Sequence, residues 1–129
     1  MKRKGVRKWF LVFLLGFLFN LIWENVHGVL YVHYKGGDIT KLVLMRAAIV
    51  DALIILTILF VLNILKFRRS WIIIIVGIVI SIALELWALN TDRWLYSSVM
   101  PIIPIINTGY TPTIQLGLLA YIINRTIKL

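Results

Sequence analysis

Long apolar runs separated by short polar breaks organise this chain. Apolar residues dominate from about Trp9 to Tyr31, from Leu42 to Leu65 and from Trp71 to Leu89, and a fourth run begins near Pro112 and reaches about Ile127. Each of the first three is close to the ~20 residues that carry a helix across a bilayer core. The fourth is shorter, and Pro112 suits the first turn of a helix, where a backbone N–H is not needed. The pattern predicts an all-α fold: a membrane four-helix bundle in one domain over residues 1–129, with helices at about 9–31, 42–65, 71–89 and 112–127. The Lys-Phe-Arg-Arg-Ser link at 66–70 is short, so the second and third helices are expected as antiparallel neighbours. Residues 33–41 read as a polar turn broken at Gly36-Gly37. Residues 90–111 read as a long semi-apolar loop with Pro101, Pro104 and Gly109, and loops of that length in so small a protein are usually functional or lids. Its Val99–Ile106 stretch is expected to dip into the membrane.

Composition narrows the class. With 61% hydrophobic residues and a mean hydropathy of +0.96, a 129-residue chain cannot face water over most of its surface. The net charge of +9 would suggest nucleic acid in a soluble domain. Here the bases flank apolar runs, as membrane topology requires, so no nucleic-acid partner is expected. Ten bases (Lys2, Arg3, Lys4, Arg7, Lys8, Lys66, Arg68, Arg69, Arg125 and Lys128) fall on one side, against four (Lys35, Lys41, Arg46 and Arg93) on the other. The positive-inside rule then puts both termini in the cytoplasm of a multi-pass protein of the bacterial inner membrane. The basic start followed by Trp9–Ile22 imitates a signal peptide, but no small-x-small cleavage site follows, and an uncleaved first helix is expected. There are no cysteines, so thiolate sites and disulfides are absent.

Three of only five acidic residues, Glu24, Asp51 and Glu85, lie inside apolar runs. A carboxylate in hydrocarbon costs roughly 2.5 to 3.5 kcal/mol on insertion scales. Counted from the inner end of each helix, they stand fourteen or fifteen residues from Trp9, Lys66 and Trp71 respectively. At 1.5 Å per residue all three sit ~21–22 Å above the inner interface, in the outer third of the hydrocarbon. Asn20, Glu24 and His27 share one face of the first helix, with Trp23 beside them. Arg46 lies about a turn and a half outside Asp51, Gln115 enters with the fourth helix, and Arg93, Trp94 and Tyr96 lie in the loop above. These residues describe a polar cup opening outward over an apolar plug. A structural alternative uses the acids as hydrogen-bonding glue between helices, the arginines as snorkelling interfacial residues and the aromatics as belt residues.

Glu24-x-x-His27 is half of the pattern of four-helix carboxylate metal sites, which need a second Glu-x-x-His and two further acids. The fourth helix offers Gln115 instead, and no metal or other cofactor is expected. A bis-histidine haem is equally disfavoured, because His27 and His33 lie on or near one segment.

Trp23-Glu24-x-x-His27, Glu85 with Ala88-Leu89, Arg93-Trp94-x-Tyr96, Met100-Pro101-x-x-Pro104, Gly109, Pro112 and Gln115 together resemble a pattern of small four-span bacterial integral membrane proteins that carry no assigned activity. The likeness covers some 40 residues and implies that the Arg-Trp-x-Tyr loop and the acids form one feature. A looser similarity runs to emopamil-binding type isomerases and heterodimeric lycopene cyclases, which use intramembrane acids with nearby Trp and His to protonate an alkene and hold a carbocation. That similarity is one of site type, with no alignable motif.

Three functions follow. The first is a lipid- or isoprenoid-acting enzyme or lipid-binding protein. Its catalytic set would be Glu24, His27, Asp51 and Glu85, with Glu24 or Glu85 as general acid. Its binding set would be Asn20, Trp23, Arg46, Arg93, Trp94, Tyr96 and Gln115, the arginines suiting a phosphate or pyrophosphate headgroup. The second is a non-catalytic accessory subunit whose acids pair with bases of a membrane-protein partner or a second copy of the chain. The third is a proton- or cation-coupled transport component.

Overall fold

A computed structural model describes residues 2–67 and 69–128, with side chains from Gly5 onward. Arg68, and the side chains of Lys2, Arg3 and Lys4 counted among the inner bases, lie outside what is described. The chain is mostly helical. Four α-helices, α1 (Lys2–His27), α2 (Lys41–Ile64), α3 (Ser70–Asn90) and α4 (Tyr110–Ile127), are joined by a 3-10 turn (Gly28–Leu30) and two short strands, β1 (Tyr31–Tyr34) and β2 (Trp94–Tyr96). The four helices are as expected, and the two short strands are an addition to them. Three segments, Gly5–Leu30, Lys41–Ile64 and Ser70–Asn90, are long and apolar enough to cross a membrane.

Helix α1 starts seven residues earlier than expected, because its basic lead-in continues the helix. It also ends earlier, at His27. Past Gly28, where a Cβ would stand 3.2 Å from the Leu44 side chain, the chain leaves the helix and extends as β1. Lys35 and Gly36 then turn it with positive φ at both positions, and Tyr34 and Gly37 exchange backbone hydrogen bonds across them. Thr40 caps α2, its Oγ1 accepting from the Val43 N–H. Both α2 and α3 end on a left-handed residue, Lys66 and Asp92, followed by a backbone bond five residues back (Phe67 to Leu62, Arg93 to Ala88). The Asp92 cap swings Arg93 and Trp94 back over the helix ends. Strand β2 then pairs antiparallel with β1, setting Tyr31 opposite Tyr96 and Tyr34 opposite Trp94. Helix α4 begins at Tyr110, two residues before Pro112, which fills its first turn.

The helices pack in two close pairs. Helix α1 runs antiparallel to α2: Trp9 meets Phe60 edge to face, a Cβ on Gly16 would lie 3.3 Å from Ala52, and Lys41 donates to Asn25. Helix α3 runs against α4 at backbone contact, since a Cβ on Gly77 would fall 2.2 Å from the Gly117 Cα. Helix α4 touches each of the other three helices, and most of its residues from Pro112 to Ala120 are buried. That position explains why α4 is less apolar than α2 and α3: its surroundings are protein. One end of the stack is a dry core that includes Val12, Ile55, Leu59, Ile73, Leu119 and Ile123. The outer faces of α1, α2 and α3 are apolar as well, with Phe10, Ile22, Leu53, Ile64, Ile75 and Val79 exposed.

Candidate functional site

Opposite the dry core, polar side chains from all four helices converge. Their hydrogen bonds fix which atom points where. Asn20, fully buried on α1, donates its Nδ2 to the Gly16 carbonyl at 2.7 Å. Its Oδ1 is therefore left facing α4, where it accepts from Gln115 Nε2 at 2.8 Å. The same Gln115 nitrogen lies 3.0 Å from Glu24 Oε1 and 2.9 Å from Asp51 Oδ2. An amide nitrogen carries two hydrogens and here meets three acceptors. Glu24 and Asp51 are thus brought together from two helices at one shared donor. The pair is left with room for one more donor: a proton held between the carboxyl groups, or an N–H or O–H from outside the chain.

His27, one turn beyond Glu24, has its Nδ1 3.1 Å from the Trp23 carbonyl. A carbonyl only accepts, so Nδ1 carries the hydrogen and Nε2 presents a lone pair. That Nε2 is buried without a partner. Nδ1 also lies 3.8 Å from Glu24 Oε2, which ties the ring to the acid pair.

Glu85 belongs to a second, different cluster. Tyr31 donates to its Oε1 at 3.2 Å, and Trp94 Nε1 (2.9 Å) and Tyr96 Oη (2.7 Å) donate to its Oε2. The directions are set by the donors. An indole N–H can only donate, and Tyr96 Oη already accepts the Gly109 N–H at 3.0 Å, so its own hydrogen goes to Glu85. With three donors on two oxygens, Glu85 has most of its acceptor sites filled and latches β1, β2 and the start of α4 to α3. Burial first, and the Glu85 carboxylate second, push the phenols of Tyr31 and Tyr96 above their ordinary range.

Both clusters line one cavity of about 300 Å³. Glu24, His27, Asp51, Glu85, Arg46, Arg93, Trp94 and Gln115, all singled out from the sequence, stand on its wall. Three others do not. Asn20 braces Gln115 from behind, Tyr96 sits on the latch, and Trp23 packs on the apolar core with its Nε1 unpartnered. Sequence reasoning passed over Tyr31 as an interfacial aromatic and His33 as a solvated turn residue. Both line the cavity, as does Ser81, whose buried Oγ has no partner. The i, i+4 spacing of Ser81 and Glu85 was the available signal for the serine. Among the described residues, no group of three or more His, Cys, Asp and Glu is placed to hold a metal ion.

No protein-family model matches this sequence, and no curated protein or solved structure is significantly similar to it.

Proposed function

We propose that this chain is a four-span integral membrane protein, with both termini cytoplasmic, that takes a lipid-class molecule into its outward-facing cavity. There it exchanges a proton with that molecule through the Glu24–Asp51 pair. The observation that carries this reading is the opposed carboxyl pair on two helices, sharing one amide donor on a cavity wall. Opposed carboxyls can hold one proton between them and deliver it, which is the arrangement of a general acid and its conjugate base. His27, whose Nδ1 lies 3.8 Å from Glu24 Oε2 and whose Nε2 has no partner, is the neighbour assigned to take up or return the proton. Gln115 and Asn20 are positioning residues that hold the pair. Glu85, held by three donors, is assigned to closing the cavity and not to the chemistry.

The exposed apolar faces of α1, α2 and α3 support membrane embedding, and the ten-to-four distribution of bases supports the orientation. Two features weigh against the other functions. The acids turn inward to a donor within the chain and onto the cavity wall, so a partner subunit's base could reach them only through the cavity. Beneath the cavity the dry core offers no polar path for an ion.

The test is deuterium transfer. The full chain in native-lipid nanodiscs is incubated with membrane lipid extract in D2O, and the lipids are surveyed by mass spectrometry. A lipid species gaining a non-exchangeable deuterium with the native protein, and losing that gain in Glu24→Gln and Asp51→Asn, is the expected result. Absence of deuterium in every lipid, or its persistence in the double variant, overturns the proton-transfer reading.

A further inference from the structure

Two layers of opposite charge line the cavity. The carboxyl pair lies deeper, and five residues toward the outer end of α2, about 7.5 Å along the axis, stands Arg46. Arg93 faces it from the chain just past α3, its guanidinium 4.3 Å over the Trp87 ring and its Nε buried without a partner. Among the described residues neither arginine is in an ion pair. The side wall is apolar, built from Ala47, Val50 and Ile54 of α2 and Leu84 and Trp87 of α3. Val50 and Trp87 line the cavity and are 53% and 49% exposed. They stand on α2 and α3, helices that touch each other little along their length.

We infer that the ligand is a lipid with a phosphate headgroup. It enters sideways between α2 and α3, with its phosphate between Arg46 and Arg93 and its first chain atoms against Glu24 and Asp51. This rests on the membrane reading above. Two guanidinium forks from opposite walls match a tetrahedral anion with oxygens on several sides better than a planar carboxylate. A cavity of about 300 Å³ is at the small end for enclosing a drug-sized ligand. It takes the headgroup and the adjoining carbons, and the tail passes between Val50 and Trp87 into the bilayer. A lipid of the outer leaflet already has its phosphate above its chain, so it needs no inversion to fit.

Binding is read from the tryptophan fluorescence of the full chain in neutral detergent, titrated with dodecyl phosphate, dodecanol and inorganic phosphate. Dodecyl phosphate is expected to bind at least about tenfold more tightly than either single-feature probe. Arg46→Gln combined with Arg93→Gln should remove that preference. Val50→Trp, a change at an exposed position that fills the way between α2 and α3, should weaken dodecyl phosphate and leave the melting temperature unchanged. Equal binding of dodecanol, or an unaltered preference in the arginine double variant at native melting temperature, overturns the phosphate. Equal binding of inorganic phosphate overturns the lipid and leaves a free-anion site. Deuterium transfer by a chain that does not bind dodecyl phosphate sinks this assignment alone. Selective binding without deuterium transfer sinks only the proton-transfer reading.

Discussion

An amide side chain has two hydrogens, and at Gln115 three oxygens compete for them, so the hydrogen-bond balance of the Asn20–Glu24–Asp51 cluster passes through one nitrogen. Replacing Gln115 with Leu keeps the volume and strands Asn20 Oδ1 and both carboxyl groups. A buried polar group left without its partner costs about 1–3 kcal/mol, and more when charged. Gln115→Leu is therefore expected to lower stability by about 2–3 kcal/mol, read as a lowered melting temperature in mild detergent. Gln115→Glu should be worse, because it adds a third acid where a donor was needed. The tyrosines of the latch make a separate prediction. Their phenol pKa values in the fold lie above the ordinary 10.0, so the folded state holds those protons more tightly than the unfolded chain. Stability from this source is complete below pH 10.0 and falls as the pH rises beyond it. An alkaline titration should show Tyr31 and Tyr96 ionising only with unfolding. Tyr96→Phe should shift the alkaline unfolding midpoint upward relative to its own stability at neutral pH.

At the scale of elements, glycine separates positions where helices touch from positions where they do not. A Cβ at Gly77 would sit inside the Gly117 backbone, so Gly77→Val must push α3 from α4. The expected cost is at least about 2–3 kcal/mol, and the cavity between the pairs should lose its shape with it. Gly5 has nothing within 4 Å of such a Cβ, so Gly5→Ala should gain up to about 1 kcal/mol from helix propensity alone. Comparing the two by thermal unfolding checks whether the α3–α4 crossing is a backbone contact. Much of this layer was legible in the sequence. The apolar runs marked α2 and α3 to within one residue and α1 less closely, and counting along them set Glu24 and Asp51 at the level where Gln115 meets both. Depth counting is blind to azimuth, however, and so it grouped Glu85 with the other acids when its donors are Tyr31, Trp94 and Tyr96. The strands were hidden for a related reason. Tyr31–Tyr34 continues the apolar run of α1 without a break, and its partner is some sixty residues away. A periodicity read along a single segment carries no record of such a pairing.

For the molecule as a whole, two helix pairs meet around a cavity at one end and a dry core at the other. The charge asymmetry is the basis of the proposed orientation, and labelling can check it. Ser98, exposed in the long loop, and Arg69, exposed in the α2–α3 link, lie at opposite ends of the stack. In a chain that has no native cysteine, Ser98→Cys should react with a membrane-impermeant maleimide added to intact spheroplasts. Arg69→Cys should react only after lysis. The reverse pattern would invert the orientation and place the cavity toward the cytoplasm.

The dependence of Glu24 and Asp51 on Gln115 also sets an order in time. Synthesis runs from α1 to α4, so both acids leave the ribosome some sixty or more residues before the amide that holds them. Until α4 arrives, the α1–α2 hairpin carries two acids with no donor from Gln115, each a penalty of roughly 2.5 to 3.5 kcal/mol against residence in hydrocarbon. In the proposed membrane setting the nascent hairpin is therefore a poorer lodger in lipid than the finished bundle. The acid pair waits on α4, and a chain that stops short of it lacks the donor that Asn20, Glu24 and Asp51 share.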